Sequence, residues 1–237
     1  MAIFNLDLPK QVTGLSLDSP EQLAGELAIT VANALRTAIE ARGAAVLVVS
    51  GGRSPVAFFE RLCGQALDWS KVTISLADER FVPVSHADSN EGLVRRHLLR
   101  GEAASARFFG LYHSVPNLEE AARLADRALA ELGGIDVLVL GMGEDGHTAS
   151  LFPGSPNLEL ALSADCERRC LPMQAPSVPR QRLSMTLPLL ASAQLTLLAV
   201  QGQAKLSTLA AALAGDDESA MPIRAFLRRP LEIHWCP

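Results

Sequence analysis

The sequence predicts an α/β protein: a doubly wound, mostly parallel sheet with helices on both faces. Three observations carry that reading. Short apolar runs of strand length alternate with amphipathic stretches long enough for helices. The runs are continuously apolar rather than alternating, as central parallel strands covered on both sides require. Several of them end in glycine-rich or charged turns, where open α/β sheets collect their ligand residues.

Pro20–Arg42 spaces Leu23, Leu27, Val31, Leu35 and Ile39 four apart, one helical stripe, with Ser19 as N-cap and Pro20 in the first turn. Ala44–Val49 is a buried strand that leads into Ser50-Gly51-Gly52-Arg53-Ser54-Pro55, and a helix follows to Leu62. Val72–Ala77 is the next strand and opens into Asp78, Glu79 and Arg80. A helix is expected over Asn90–Leu99, a short strand over Arg107–Leu111, and an amphipathic helix over Leu118–Leu132, stopped by Gly133 and Gly134. Ile135–Leu140 reads as a central strand. Gly154–Pro179, rich in Pro, Ser and charge, reads as loop with at most a short strand near Arg169–Met173. Arg182–Thr186 resumes strand character, Leu195–Val200 is buried strand, Ala204–Leu213 is helix, and Leu231–Trp235 closes the sheet.

The 237 residues, 49% hydrophobic and without repeats, are expected to form a single domain around one core. No apolar run approaches the roughly 18 to 20 residues of a membrane span, and MAIFNLDLPKQ lacks the pattern of a signal peptide. The expectation is therefore a cytoplasmic protein with no membrane partner. A net charge of −5 without a basic run argues against nucleic acid, so an anionic ligand has to meet a local basic pocket. Of the four cysteines only Cys166 and Cys170 lie close, with no second pair or nearby histidine, so they read as ordinary thiols and no metal is expected.

Chemistry concentrates at the strand exits. Gly141-Met142-Gly143-Glu144-Asp145-Gly146 formally matches the dinucleotide fingerprint, but two acids on the turn and the early Pro153-Gly154 break argue against a pyrophosphate there. An isolated histidine would read as a turn cap. His147, two residues after Asp145 at a strand exit, reads instead as a proton-transfer group. The Ser50–Ser54 loop is either a tight turn or a phosphate cradle of backbone N–H groups, hydroxyls and a helix start. Asp78, Glu79 and Arg80 are either a solvated cluster or part of a site. Lys205, one of three lysines, begins a helix whose dipole opposes its charge unless an anion is present. Arg182 has a similar, weaker case.

SGGRSP at Ser50–Pro55, DERFVP at Asp78–Pro83, DSN at Asp88–Asn90, GMGEDGHTASLFPGSP at Gly141–Pro156, RLSMTLPLL at Arg182–Leu190 and QGQAKL at Gln201–Leu206 together resemble the 6-phosphogluconolactonase family in order and spacing over nearly the whole chain. The resemblance implies a fold shared with glucosamine-6-phosphate deaminases and hydrolysis of 6-phospho-D-glucono-1,5-lactone to 6-phosphogluconate in the oxidative pentose phosphate route. It also implies no nucleotide or other cofactor and no obligatory metal. In the related deaminases a glutamate lies five residues after the histidine, where Phe152 stands here, and a phenylalanine cannot pass protons. A second departure is Arg53, where the family commonly has a small hydroxyl residue; it either adds a phosphate contact or points outward.

On this reading His147 is the general base and Asp145 shapes the turn or orients the imidazole, with Asp78 and Arg80 completing the catalytic set. Arg80 serves either oxyanion or phosphate. Ser50, Gly51, Gly52, Arg53, Asn90, Gly143, Arg182 and Lys205 form the substrate and phosphate site. No G-x-S-x-G elbow exists, which disfavours a covalent intermediate. The expected partner is a small sugar-phosphate lactone bound by a monomer or small homo-oligomer. A sugar-phosphate-binding regulator on the same fold is the non-catalytic alternative.

Overall fold

The computed structural model describes residues 3–237. After a single 3-10 turn at Ile3–Asn5 come β1 (Val12–Ser16) and the long helix α1 (Pro20–Arg42). Ser19 Oγ accepts from Gln22 N at the start of α1, and Gly43, at φ 78°, ends it in the left-handed conformation. Leu23, Leu27, Val31 and Leu35 form its buried stripe. Then come β2 (Ala45–Val49), α2 (Val56–Leu62), β3 (Val72–Leu76), β4 (Asp78–Arg80), α3 (Asn90–His97), β5 (Arg107–Phe109) and α4 (Leu118–Leu129). The second half comprises β6 (Val137–Leu140), α5 (Leu158–Leu162), β7 (Cys170–Gln174), β8 (Gln181–Met185), α6 (Leu187–Leu190), β9 (Leu195–Gln201), α7 (Gln203–Leu213), α8 (Arg224–Leu227) and β10 (Leu231–Cys236).

Seven strands form one sheet in the order β1-β10-β9-β6-β2-β3-β5, with every neighbouring pair parallel. All residues of β2 and β6 are buried, because helices cover both faces. From β2 the chain winds outward through β3 to β5, then returns to β6 beside β2 and winds the other way through β9 to β10. The direction reverses between β2 and β6. A crevice at such a switch point, beyond the strand carboxyl ends, is where this architecture binds ligands.

The structure departs from the sequence expectation in three places. Leu231–Cys236 does not close the sheet: β1 lies outside it, Val12 opposite Leu231. Four of the five β1 residues are exposed, so the strand carries no burial pattern to announce it. A second sheet, β4-β8-β7, is antiparallel and was not foreseen; β4 continues from β3 and pairs with β8. The Gly154–Pro179 stretch holds the helix α5 as well as the short strand β7. All four cysteines are free thiols, and burial pushes that of Cys170 up to about 12. Among the described residues no helix is long and apolar enough to cross a membrane.

Candidate active site

The loops after β2 and β6 flank the switch point and open on a cleft of about 300 Å³. All the residues assigned to the catalytic and substrate site from the sequence line it, except Asp145, which stands behind His147; Glu79, weighed with Asp78 and Arg80, does not. Leu23, Leu27 and Phe58 supply an apolar wall from α1 and α2.

The β6 exit is a tight turn. Gly146 N donates to Gly143 O at 3.1 Å, and Gly143 N to His147 O at 2.9 Å, which folds the imidazole back over Gly143. A methyl on Gly143 would fall 2.2 Å from His147 Nδ1, so only glycine fits. Asp145 Oδ1 accepts the His147 backbone N–H at 3.1 Å and lies 2.5 Å from Nδ1. A carboxylate at Nδ1 fixes the proton there and leaves Nε2 as the acceptor of the neutral ring. No helix follows the turn; Thr148 and Leu151 bridge instead, so the formal dinucleotide fingerprint lacks the helix N-terminus that its chemistry needs. Ala149, on the cleft wall, has φ 49°, a conformation that costs a non-glycine residue energy and clusters at functional sites.

Strand alternation sends Asp78 and Arg80 of β4 to the cleft and Glu79 away from it. Ser150 Oγ donates to Asp78 Oδ2 at 2.6 Å, joining the β4 strand to the histidine turn. Arg80 lies directly opposite Arg182 of β8 in the antiparallel register. Like charges so placed repel. Arg182 is buried, and burial lowers its guanidinium below the usual range, against the pull of Asp78. Arg53 and Lys205 complete a lining of four cations against the single carboxylate of Asp78, in a chain whose net charge is −5. Lys205 sits in the first turn of α7, whose cap residue Gly202 provides no side-chain bond. This concentration of positive charge fits an anionic ligand.

Ser50 Oγ, Arg80 Nε and Asn90 Oδ1, all from cleft-lining residues, are buried without a partner among the described residues. Gly51 fits only as glycine, since a methyl there would fall 1.9 Å from Asn90 Oδ1. Among the described residues no group of His, Cys, Asp and Glu is arranged to hold a metal.

A family model for glucosamine-6-phosphate isomerases/6-phosphogluconolactonase matches residues 18–235. The chain belongs to this family. Within it the chain is 63% identical over 238 residues to a 6-phosphogluconolactonase of Pseudomonas aeruginosa, covering 100% of each sequence. It is 62% identical to a 6-phosphogluconolactonase of Pseudomonas putida, over 100% of this chain and 98% of the relative. A crystal structure of a 6-phosphogluconolactonase from Shewanella baltica superposes with a TM-score of 0.93 at 39% identity, covering 97% of this chain and 100% of that one. Full-length identity at this level makes the chain a lactone hydrolase.

Three further residues shape this 6-phosphogluconolactonase-family cleft: Ser150 and Phe152, which the sequence did not point to as site residues, and Glu79, weighed there with Asp78 and Arg80 but given no role of its own. Ser150 bonds Asp78, yet nothing in the GHTAS run distinguishes it from its neighbours. Phe152 places its ring against His147 and Arg182. Glu79 is fully buried, and burial raises its carboxyl to about 7, opposed by the backbone N–H groups of Glu91, Asn90 and Arg80. Its signal was an acid inside an otherwise buried run.

Proposed function

We propose that this chain hydrolyses 6-phospho-D-glucono-1,5-lactone to 6-phosphogluconate in the oxidative pentose phosphate route, by His147-assisted attack of water on the lactone carbonyl. The reading is carried by one observation: a carboxylate-oriented imidazole shares a single cleft with four cationic side chains.

Lys205, Arg182 and the Ser50–Arg53 loop hold the phosphate, and fixing the dianion at one end brings the carbonyl to the other. Nε2 of His147 takes a proton from water as its oxygen bonds to the carbonyl carbon. The tetrahedral oxyanion is met by Arg80 and by backbone N–H groups of the glycine turns. Collapse breaks the bond to the ring oxygen, which leaves as a hydroxyl with the proton returned by His147. Asp145 steadies the imidazolium in between. Asp78 holds Ser150 and offsets the charge of Arg182. The chemistry asks only for water, a base and anion-binding groups.

The test is hydrolysis of freshly generated 6-phosphoglucono-1,5-lactone by the wild type and His147→Ala, with the spontaneous rate subtracted. Fast wild-type turnover that collapses in the variant supports both substrate and base. Rates no higher than the spontaneous one would sink the lactonase reading. Tight 6-phosphogluconate binding without turnover would then favour a sugar-phosphate-binding protein.

A further inference from the structure

Glu79 is fully buried, and its carboxylate bonds four donors. Oε1 accepts from Arg80 N at 2.7 Å and Asn90 N at 2.8 Å; Oε2 accepts from Glu91 N at 2.7 Å and Ser89 Oγ at 3.2 Å. Three of these donors open α3, and the fourth belongs to a cleft residue on β4. The side chain therefore brackets two elements that no β-ladder joins.

Both elements present a side chain to the cleft. Asn90 Nδ2 donates to Asp78 O at 2.8 Å, which turns Oδ1 toward Gly51. Arg80 Nη1 donates to Asp88 O at 2.8 Å, just before α3. The loop between β4 and α3 is thus tied at its base by Glu79 and again by Arg80. The two carboxyl oxygens accept from all four groups, whereas a carboxamide would turn its NH₂ group against two of these donors.

We infer that Glu79 is a positioning residue for the reaction, setting where Arg80 and Asn90 stand in the cleft without itself touching substrate. The inference rests on the lactonase reading for its readout. It differs from a generic stabilising role because its effect has to pass through named cleft residues.

The experiment is a double-mutant cycle. kcat/KM for the lactone and Kd for 6-phosphogluconate are measured for wild type, Glu79→Gln, Asn90→Ala and the double variant, with Glu79→Asp beside them and thermal unfolding to establish that each is folded. Glu79→Gln is expected to lower kcat/KM by about 10- to 100-fold, as breaking a buried network does. The double variant should lose little more than the worse single variant, since the two share one network. Glu79→Asp keeps the carboxyl group but withdraws it from α3, so it should be impaired as well, and it carries the test if the glutamine variant fails to fold. Folded Glu79→Gln or Glu79→Asp with wild-type kcat/KM, or fully additive losses in the cycle, overturns the inference. A wild type without lactonase activity instead overturns the functional reading beneath it.

Discussion

The ring centroid of Phe152 lies 4.2 Å from that of the His147 imidazole, tilted by 37°, and the Arg182 guanidinium stands over the same ring at 5.5 Å from its centroid. One buried aromatic side chain therefore spaces the proposed base from a proposed phosphate ligand. Phe152→Leu keeps an apolar side chain there, so stability should change by less than about 1.5 kcal/mol. Loss of the flat ring should cost about 2- to 10-fold in kcat/KM, the worth of such contacts. Steady-state kinetics beside thermal unfolding checks this; wild-type kinetics in the variant would remove the ring from the account.

Base and phosphate ligand separate in the kinetics. His147→Ala should lower kcat by about 10²- to 10⁴-fold with KM nearly unchanged. Lys205→Ala should raise KM by more than about 10-fold with kcat within a few-fold of wild type, because it removes binding common to ground and transition states. Full kcat in the histidine variant would refute the base assignment.

Gly143→Ala tests the fold of the histidine turn. The added methyl would fall 2.2 Å from His147 Nδ1 and 2.6 Å from Asp145 Oδ1, so the pair has to move. Since misplacement of a reacting group by about 1 Å can cost on the order of 10²-fold, kcat should drop by that order. Gly134→Ala, whose methyl meets nothing within 4 Å, is the control and should leave kcat intact.

Glu79 gives stability a definite pH dependence. Its carboxyl stands near 7 in the fold against an ordinary 4.5, raised chiefly by burial. The stability it contributes is complete below about pH 4.5 and is lost as pH rises through about 7, a change of about 3 kcal/mol. In urea unfolding between pH 5 and 8, the stability of wild type relative to Glu79→Gln should therefore fall as pH rises. A flat or rising difference would contradict the burial argument.

The main sheet was legible because burial on both faces leaves a continuous apolar run, as in Val46–Val49 and Val137–Leu140. The cleft residues were legible because parallel topology delivers strand exits to one edge, which brought Ser50, Asp78 and His147 together. β1 was not legible: a strand exposed at most positions, with Gly14 in its middle, has no pattern of either period. The antiparallel sheet was hidden for another reason, since β4 spans three residues that read equally well as a loop. The roles of Glu79 and Ser150 depend on contacts across long stretches of sequence, Ser150 reaching Asp78 and Glu79 reaching α3. No local signal encodes such partners.

The pairing of β1 with β10 sets an order of assembly. Residues 12–16 are made before every other strand of the sheet, but their one strand partner among the described residues, at 231–235, is made more than two hundred residues later. Contacts so distant in sequence close slowly, and the first strand waits unpaired while the rest is synthesised. β2, β3 and β6, whose exits build the cleft, are far nearer one another in the chain and have all been made before β9 and β10 exist. The edge that carries the cleft is thus expected to take shape first, and the sheet to be sealed last by the pairing of β1 with β10.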